Sequence, residues 1–315
     1  MSRRVLISGS VAYDTIMVFE GHFRDHILPD SVHMLNVAFL TPRLEREFGG
    51  CAANIAYTLS GLGGEPVVLA AIGHDGDLCL QRLEALGADT SPVLRCPDRF
   101  TAQAFITTDL SANQITAFHP GAMNEAHRVS AARAALGGAA WGIVAPNGRE
   151  AMLTHARELS TAGVPWLFDP GQGLPMFDGA ELRAFIESAS AVAVNSYEMQ
   201  MLAERTGWNE EQVASRVQAL IVTHGVEGSV LFEGERRTLV ESVPVETPVD
   251  PTGCGDAYRA GLLYGLAAGW SWLDAARLGS VMGALKIEHQ GAQNHVVDRD
   301  AVAQRYETRW GSRPW

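Results

Sequence analysis

Asp250-Pro251-Thr252-Gly253-Cys254-Gly255-Asp256-Ala257-Tyr258-Arg259-Ala260-Gly261 is the stretch on which the reading of the fold turns. Two glycines flank one small residue, an aspartate follows, and helix-forming residues run on through about 268. Small residues let a backbone turn tightly and approach a ligand closely. The N–H groups of Gly253, Cys254, Gly255 and Asp256 fall at a helix start, where amides lack intrahelical partners. With the helix dipole they make an anion site. Such a site stabilises the charge that develops on a transferring phosphoryl group. Asp256, in the same turn, is the candidate base for an attacking hydroxyl. The competing structural reading is an acid favoured by the dipole in a helix's first turn.

A second glycine motif lies upstream, Gly49-Gly50-Cys51-Ala52-Ala53-Asn54. Paired glycines open a helix, and Asn54 sits one turn in, where an amide could bond a polyol. The alternative is a Gly-rich helix start with an exposed Asn.

Around these motifs short apolar runs alternate with longer helical patterns. Residues 5–8, 67–72, 142–145, 166–168, 191–194 and 220–223 read as strands buried on both faces, because they lack period-2 alternation. Residues 51–62, 78–86, 129–136, 150–162, 181–187 and 198–206 read as helices, with Gly63-Gly64, Gly87 and Gly163 at their stops. This predicts an α/β fold, a three-layer α/β/α sandwich around a mostly parallel sheet. Two segments, about 16–48 and 100–118, break the rhythm. The second predicts a hairpin turning at Ser111-Ala112-Asn113. Together they predict a small β-sheet lid over a site at the strands' carboxyl ends. Residues 1–315 thus read as a single domain with a non-contiguous lid.

Composition narrows the partners. The net charge is −12 and no Lys/Arg run offsets it, which argues against nucleic acid or an anionic membrane. Cys51, Cys79, Cys96 and Cys254 form no C-x-x-C pair and read as free thiols. Arg3 and Arg4 precede an apolar run too short and too soon broken for an export leader, so a first strand is expected there. No apolar run approaches the roughly 20 residues that span a bilayer, and a cytoplasmic location is expected. There is no G-x-x-x-x-G-K-[ST], H-E-x-x-H or G-x-S-x-G motif.

The two glycine motifs, F-G-G-C-A-A-N and D-P-T-G-C-G-D, resemble both signatures of the ribokinase-like (PfkB) carbohydrate kinase family. Asn195-Ser196-Tyr197-Glu198 is similar to that family's N-x-x-E. Thr223 to Gly228 is similar to its nucleotide-binding turn after a strand. The resemblance is closer to the bacterial adenosine and purine nucleoside kinases of the family. It rests on Gly9-Ser10-Val11-Ala12-Tyr13-Asp14, Leu28-Pro29, Phe39-Leu40, Gln114-Ile115 to Phe118, Pro120-Gly121-Ala122-Met123, Asp169-Pro170-Gly171-Gln172 and Thr206-Gly207-Trp208.

The resemblance implies an ATP-dependent kinase acting on the 5′-hydroxyl of a nucleoside such as adenosine, inosine, guanosine or cytidine. Asp256 is then the base, and the Gly253, Cys254 and Gly255 backbone is the anion site. Asp14, Gly50 and Asn54 hold the ribose. Ser10, Phe118 and Gln172 line the base pocket; Phe105 is assigned instead to packing within the hairpin. Asn195, Thr223, Gly225 and Gly228 contact ATP, and Glu198 organises Mg2+ through water. An alternative for Asn195 and Glu198 is a helix capping box. The adenine of ATP is expected near 284–292. Asp250 and Thr252 match positions that form a K+ site in many members. Cys254 departs from the family's usual Ala, and a thiol lowered in pKa by the helix start would make the enzyme oxidation-sensitive. A homodimer through the lid is also expected. The alternatives are a sugar kinase of the same family or a catalytically inactive nucleotide-binding regulator.

Overall fold

A computed structural model describes residues 3–27, 36–111 and 113–315. The strands, in chain order, begin with β1 (Arg4–Ser8), β2 (Ala12–Val18), β3 (Arg43–Gly49), β4 (Glu65–Leu69) and β5 (Ala71–Gly73). Next come β6 (Leu94–Cys96), β7 (Ala102–Thr108), β8 (Gln114–His119), β9 (Trp141–Val144) and β10 (Trp166–Phe168). The last are β11 (Ala191–Asn195), β12 (Ala219–Thr223), β13 (Ser229–Glu233) and β14 (Arg236–Val240). The helices start with α1 (Cys51–Gly61), α2 (Asp77–Ala85), α3 (Ala131–Ala135), α4 (Arg149–Thr161) and α5 (Gly179–Ser188). They continue with α6 (Ser196–Thr206), α7 (Glu210–Ala214), α8 (Cys254–Ala267), α9 (Trp272–Ile287) and α10 (Arg299–Trp310).

The main sheet has the order β14-β13-β12-β11-β10-β9-β1-β4. Every pair from β12 to β4 is parallel, and β13 and β14 add an antiparallel edge. Successive residues of β1 feed opposite cores. Val5 and Ile7 pack with Ile55, Leu262 and Leu278 of α1, α8 and α9. Leu6 packs with Met152 and Phe185 of α4 and α5. Both faces are covered, so the strands carry no polar alternation. Each fully buried Leu or Ile contributes about 1.5–3 kcal/mol.

The six expected strands all lie in this sheet, with one correction. The run 67–72 is two strands: β4 ends at Leu69, and β5 leaves to pair with β6. The break falls at Ala70, whose carbonyl accepts from Leu94 N rather than from the main sheet. The helix expected over 129–136 also starts later. Val129 is extended, and Ser130 caps α3 by accepting from Arg133 N.

A small second sheet has the order β3-β2-β7-β8. It begins at Ala12, four residues before the expected boundary, because Ala12 pairs with Gly49 at the neck between the sheets. β7 and β8 form the expected antiparallel hairpin. Asp109 closes its turn by accepting from Ser111 N and Asn113 N. Ala112, Leu28 and Pro29 lie outside the described residues. Phe39 packs against Phe19 and Phe23, while Leu40 is exposed.

Candidate active site

Helix α8 starts where the sequence placed it. Gly253 is its N-cap at φ 78°, a left-handed conformation that favours glycine. A Cβ there would also lie 2.8 Å from the Cβ of Ala292. One expectation is corrected: Cys254 N is not free but donates to Pro251 O at 3.2 Å. No described residue accepts from Gly253, Gly255 or Asp256 N–H. Gly255 is exposed, and a Cβ on it would meet only Arg259 Nη1, at 4.0 Å.

Asp256 is half-buried in the first turn of α8. Its Oδ2 accepts from Asn54 Nδ2 at 2.8 Å. Burial, with the nearby Asp169 charge, raises its carboxyl to about 7, against the opposing pull of Asn54 and Arg259. That suits a base working near neutrality. Asn54 is buried and already engaged at both ends, since its Oδ1 accepts from Gln293 Nε2 at 3.0 Å. In this structure it orients Asp256, whereas the sequence reading aimed it at a polyol.

Sequence reasoning missed the charges beneath. Arg259 and Asp169 are 4% and 5% exposed. They pair through Nε to Oδ2 and Nη2 to Oδ1, both at 3.2 Å, and Nη2 also donates to Ala193 O. A buried pair so bonded costs little, but either charge alone would cost several kcal/mol. The available signal was a lone Arg inside the apolar helix Ala257-Tyr258-Arg259-Ala260-Gly261.

The second sheet brings Asp14 to the same region. Gly49 leaves room for it: a Cβ there would fall 2.4 Å from Asp14 Oδ2. Burial first, then the charges of Glu47 and Asp250, raise Asp14 to about 6. Asp14 pairs with Ala104, and Ala104 with Phe118, so all three share one face of the sheet. Phe118 is 52% exposed on that face. Phe105 pairs with Thr15 and Ala117, which puts it on the other face, and it is 40% exposed rather than packed away. Gly50, at φ 92°, opens α1. Ser10 is buried, and its Oγ accepts from Cys51 N at 3.0 Å. Gln172 is exposed after β10.

Asn195 and Thr223 end adjacent strands β11 and β12 and are register partners. The capping box is present: Asn195 Oδ1 accepts from Glu198 N, and Glu198 Oε2 from Asn195 N, both at 2.8 Å. Burial and the Asp169 charge raise the Glu198 carboxyl. Gly225 starts a 3₁₀ turn at φ 59° with open space around it. Gly228, at φ 97°, has no such room, since a Cβ would lie 2.2 Å from Val240 O. Among the described residues no group of three or more His, Cys, Asp or Glu could hold a metal. The Glu198 carboxylate at these strand ends suits a hydrated Mg2+ that arrives with nucleotide phosphates. In the 284–292 segment Ala284, Lys286 and Ala292 are buried.

The expected low-pKa thiol is absent. Burial pushes Cys254 up to about 11, and its Sγ lies 3.8 Å from Asp250 O. Cys254 therefore lacks the lowered pKa on which the expected oxidation sensitivity rested.

A helix start with open amides beside a carboxylate raised by burial, at the carboxyl ends of a parallel sheet, suits a phosphotransferase with a hydroxyl acceptor. The pfkB family carbohydrate kinase model matches residues 7–299, and the chain belongs to that family. It is similar to the Burkholderia thailandensis nucleoside kinase solved in complex with inosine. The two are 50% identical with a TM-score of 0.89, over 98% of this chain and 99% of that one. The same kinase in complex with ADP-inosine matches with a TM-score of 0.86, at 51% identity over 98% and 97% of the chains. The Methanocaldococcus jannaschii nucleoside kinase is 28% identical over 276 residues, 86% of this chain and 89% of that protein. Among the described residues no helix is long and apolar enough to cross a membrane.

Proposed function

We propose that this kinase transfers the γ-phosphoryl group of ATP to the 5′-hydroxyl of a ribonucleoside. The observation that carries this reading is the row Asp14–Ala104–Phe118, a carboxylate and an exposed aromatic ring on one sheet face. A carboxylate can accept from both hydroxyls of a vicinal diol. An exposed ring can stack on a base. The positions are two strands apart, about 10 Å. The inosine complex of the Burkholderia relative supports the same reading.

In the reaction, the 5′-oxygen bonds to the γ-phosphorus as Asp256 takes its proton. The bond to the β–γ bridging oxygen breaks, and ADP leaves. The Gly253, Gly255 and Asp256 amides, with the α8 dipole, stabilise the phosphoryl oxygens. Asn195, Thr223, Gly225 and Gly228 line the nucleotide half. When bound with the nucleotide, Mg2+ supplies neutralisation of phosphate charge, and Glu198 would hold it through water. The second sheet acts as a lid that excludes water. Its edge strand β8 is exposed along its whole length, and we extend the reading to a homodimer through this sheet. The product, a nucleoside monophosphate, fits a salvage role in the cytoplasm.

The test is ADP release from Mg-ATP with adenosine, inosine, guanosine, cytidine, ribose and fructose in turn. Turnover with nucleosides is expected. Replacing Phe118 by Ala should raise nucleoside KM by about tenfold, the scale of one aromatic contact, without changing stability. Turnover with free sugars alone would keep the catalytic reading and overturn that of the sheet.

A further inference from the structure

Lys286, in the last turn of α9, is fully buried. A buried ammonium is costly unless its donors are taken. Its Nζ donates to Asp250 O at 2.7 Å and to His289 O at 3.0 Å, and lies 3.9 Å from Asp250 Oδ2. Around it the backbone is doubly tied. Val249 N and Asp250 N both donate to Ile287 O. Asp250 Oδ1 accepts from Thr252 N at 2.9 Å, and its Oδ2 from Gly291 N at 2.8 Å. Gly253 follows at once, packed against Ala292. The ammonium thus lies beneath the anion loop and fastens the end of α9 to its start.

The family resemblance implies a K+ site at Asp250 and Thr252, and the groups found there do not suit one. A monovalent cation would need carbonyl and carboxylate oxygens, and the two carbonyls and the carboxylate that converge here all face Lys286 Nζ. A second positive charge among the same oxygens would be repelled by the ammonium. We propose that the Lys286 ammonium is a resident cation that orders the phosphoryl-binding loop in place of an added monovalent ion. Lys286 is a positioning residue: it acts through Asp250 and the loop, not on the substrate. The proposal rests on the kinase activity, not on which acceptor is used.

The wild-type enzyme is assayed in potassium chloride, with choline chloride holding ionic strength constant. Its kcat and melting temperature should both be flat. Lys286→Ala should lose about 10- to 100-fold in kcat in choline, the scale for removing a group that orients a site's ligands. Potassium or ammonium should restore much of that loss saturably and raise the variant's melting temperature, while Lys286→Met, which fills the space, should not respond. A saturable potassium activation of the wild type overturns the proposal, and that measurement needs no variant to fold. A folded Lys286→Ala with full kcat in choline also overturns it. Absence of turnover with every acceptor in the panel would strike the functional reading instead, and leaves the potassium dependence of the variant's melting temperature as the deciding measurement here.

Discussion

Among the described residues two helices open on a glycine with positive φ, and of these α8 alone presents free amides. At α1, Gly50 has φ 92°, and Ser10 occupies the helix start. Its Oγ accepts from Cys51 N at 3.0 Å, and its carbonyl from Ala52 N at 3.0 Å. At α8, Gly253 has φ 78°, and Cys254 N alone is taken, by Pro251 O. A glycine-opened helix is therefore not in itself an anion site. What decides is whether a neighbouring segment has filled the helix start with its own oxygens. The two starts then divide the labour. α1 supplies Asn54, a bonded arm that reaches Asp256, and α8 supplies Asp256, the proposed base, and the open amides.

The largest expected effect separates the base from its surroundings. Asp256→Asn should lower kcat by about 10²- to 10⁴-fold, with the α8 amides left in place. Its stability effect should have the opposite sign. The folded carboxyl is raised from 3.8 to about 7, so between those values the folded chain holds a proton that the unfolded chain has lost. Stability from this group falls as pH rises through that window and stays lower above it. The Asn variant should therefore melt higher than wild type above pH 7 and lose that advantage towards pH 4. In the wild type, kcat/KM should rise with pH through about 7, and more steeply below about 6, where Asp14 also titrates. A flat profile with a fully active Asn variant would remove Asp256 from the chemistry.

Much of this was legible in the chain because it depends on local pattern. Doubly buried strands announce themselves as unbroken apolar runs, and six of those in the main sheet were found, although β13, covered on both faces as well, was missed. Helices α9 and α10 were not read, nor were strands β13 and β14. α9 is buried over most of its length, so it shows little amphipathic period. The glycine motifs located Asp256 and Asn54, but not what Asn54 bonds, since its partners Asp256 and Gln293 lie 202 and 239 residues away. Arg259 and Lys286 were missed as site residues for the same reason. Their partners, Asp169 and the Asp250 carbonyl, come together only when the strand ends and the α9 terminus converge. The thiol prediction at Cys254 failed because the dipole argument counted the helix start and not the burial.

A pair of methyl groups sharpens the contrast next. Gly50→Ala would put a Cβ 2.6 Å from Ser10 O and 2.7 Å from Ala12 N, both rigid backbone, at a positive φ. The conformation alone costs about 1–3 kcal/mol, and the overlap adds to it, so the variant should melt clearly lower. Gly255→Ala meets only Arg259 Nη1 at 4.0 Å and needs no unusual φ, so its melting temperature should hold. Its kcat should still fall about 10²-fold, because a methyl on the open amide row displaces the phosphoryl group. Equal effects on melting and kcat in both variants would break the distinction between a plugged and an open helix start.

The smallest effect tests the plug itself. Ser10→Ala removes the hydroxyl that caps Cys51 N, which should cost about 0.5–2 kcal/mol of stability. The Ser10 carbonyl still occupies Ala52 N, so α1 should gain no affinity for inorganic phosphate. A phosphate-dependent rise in melting temperature confined to this variant would mean that one hydroxyl is all that separates the two helix starts. A raised nucleoside KM with unchanged melting would mean instead that Ser10 faces the acceptor, as the sequence reading had it, and that its bond to Cys51 contributes little. Lower melting with unchanged KM would leave Ser10 as the residue that keeps α1 from competing with α8 for phosphate.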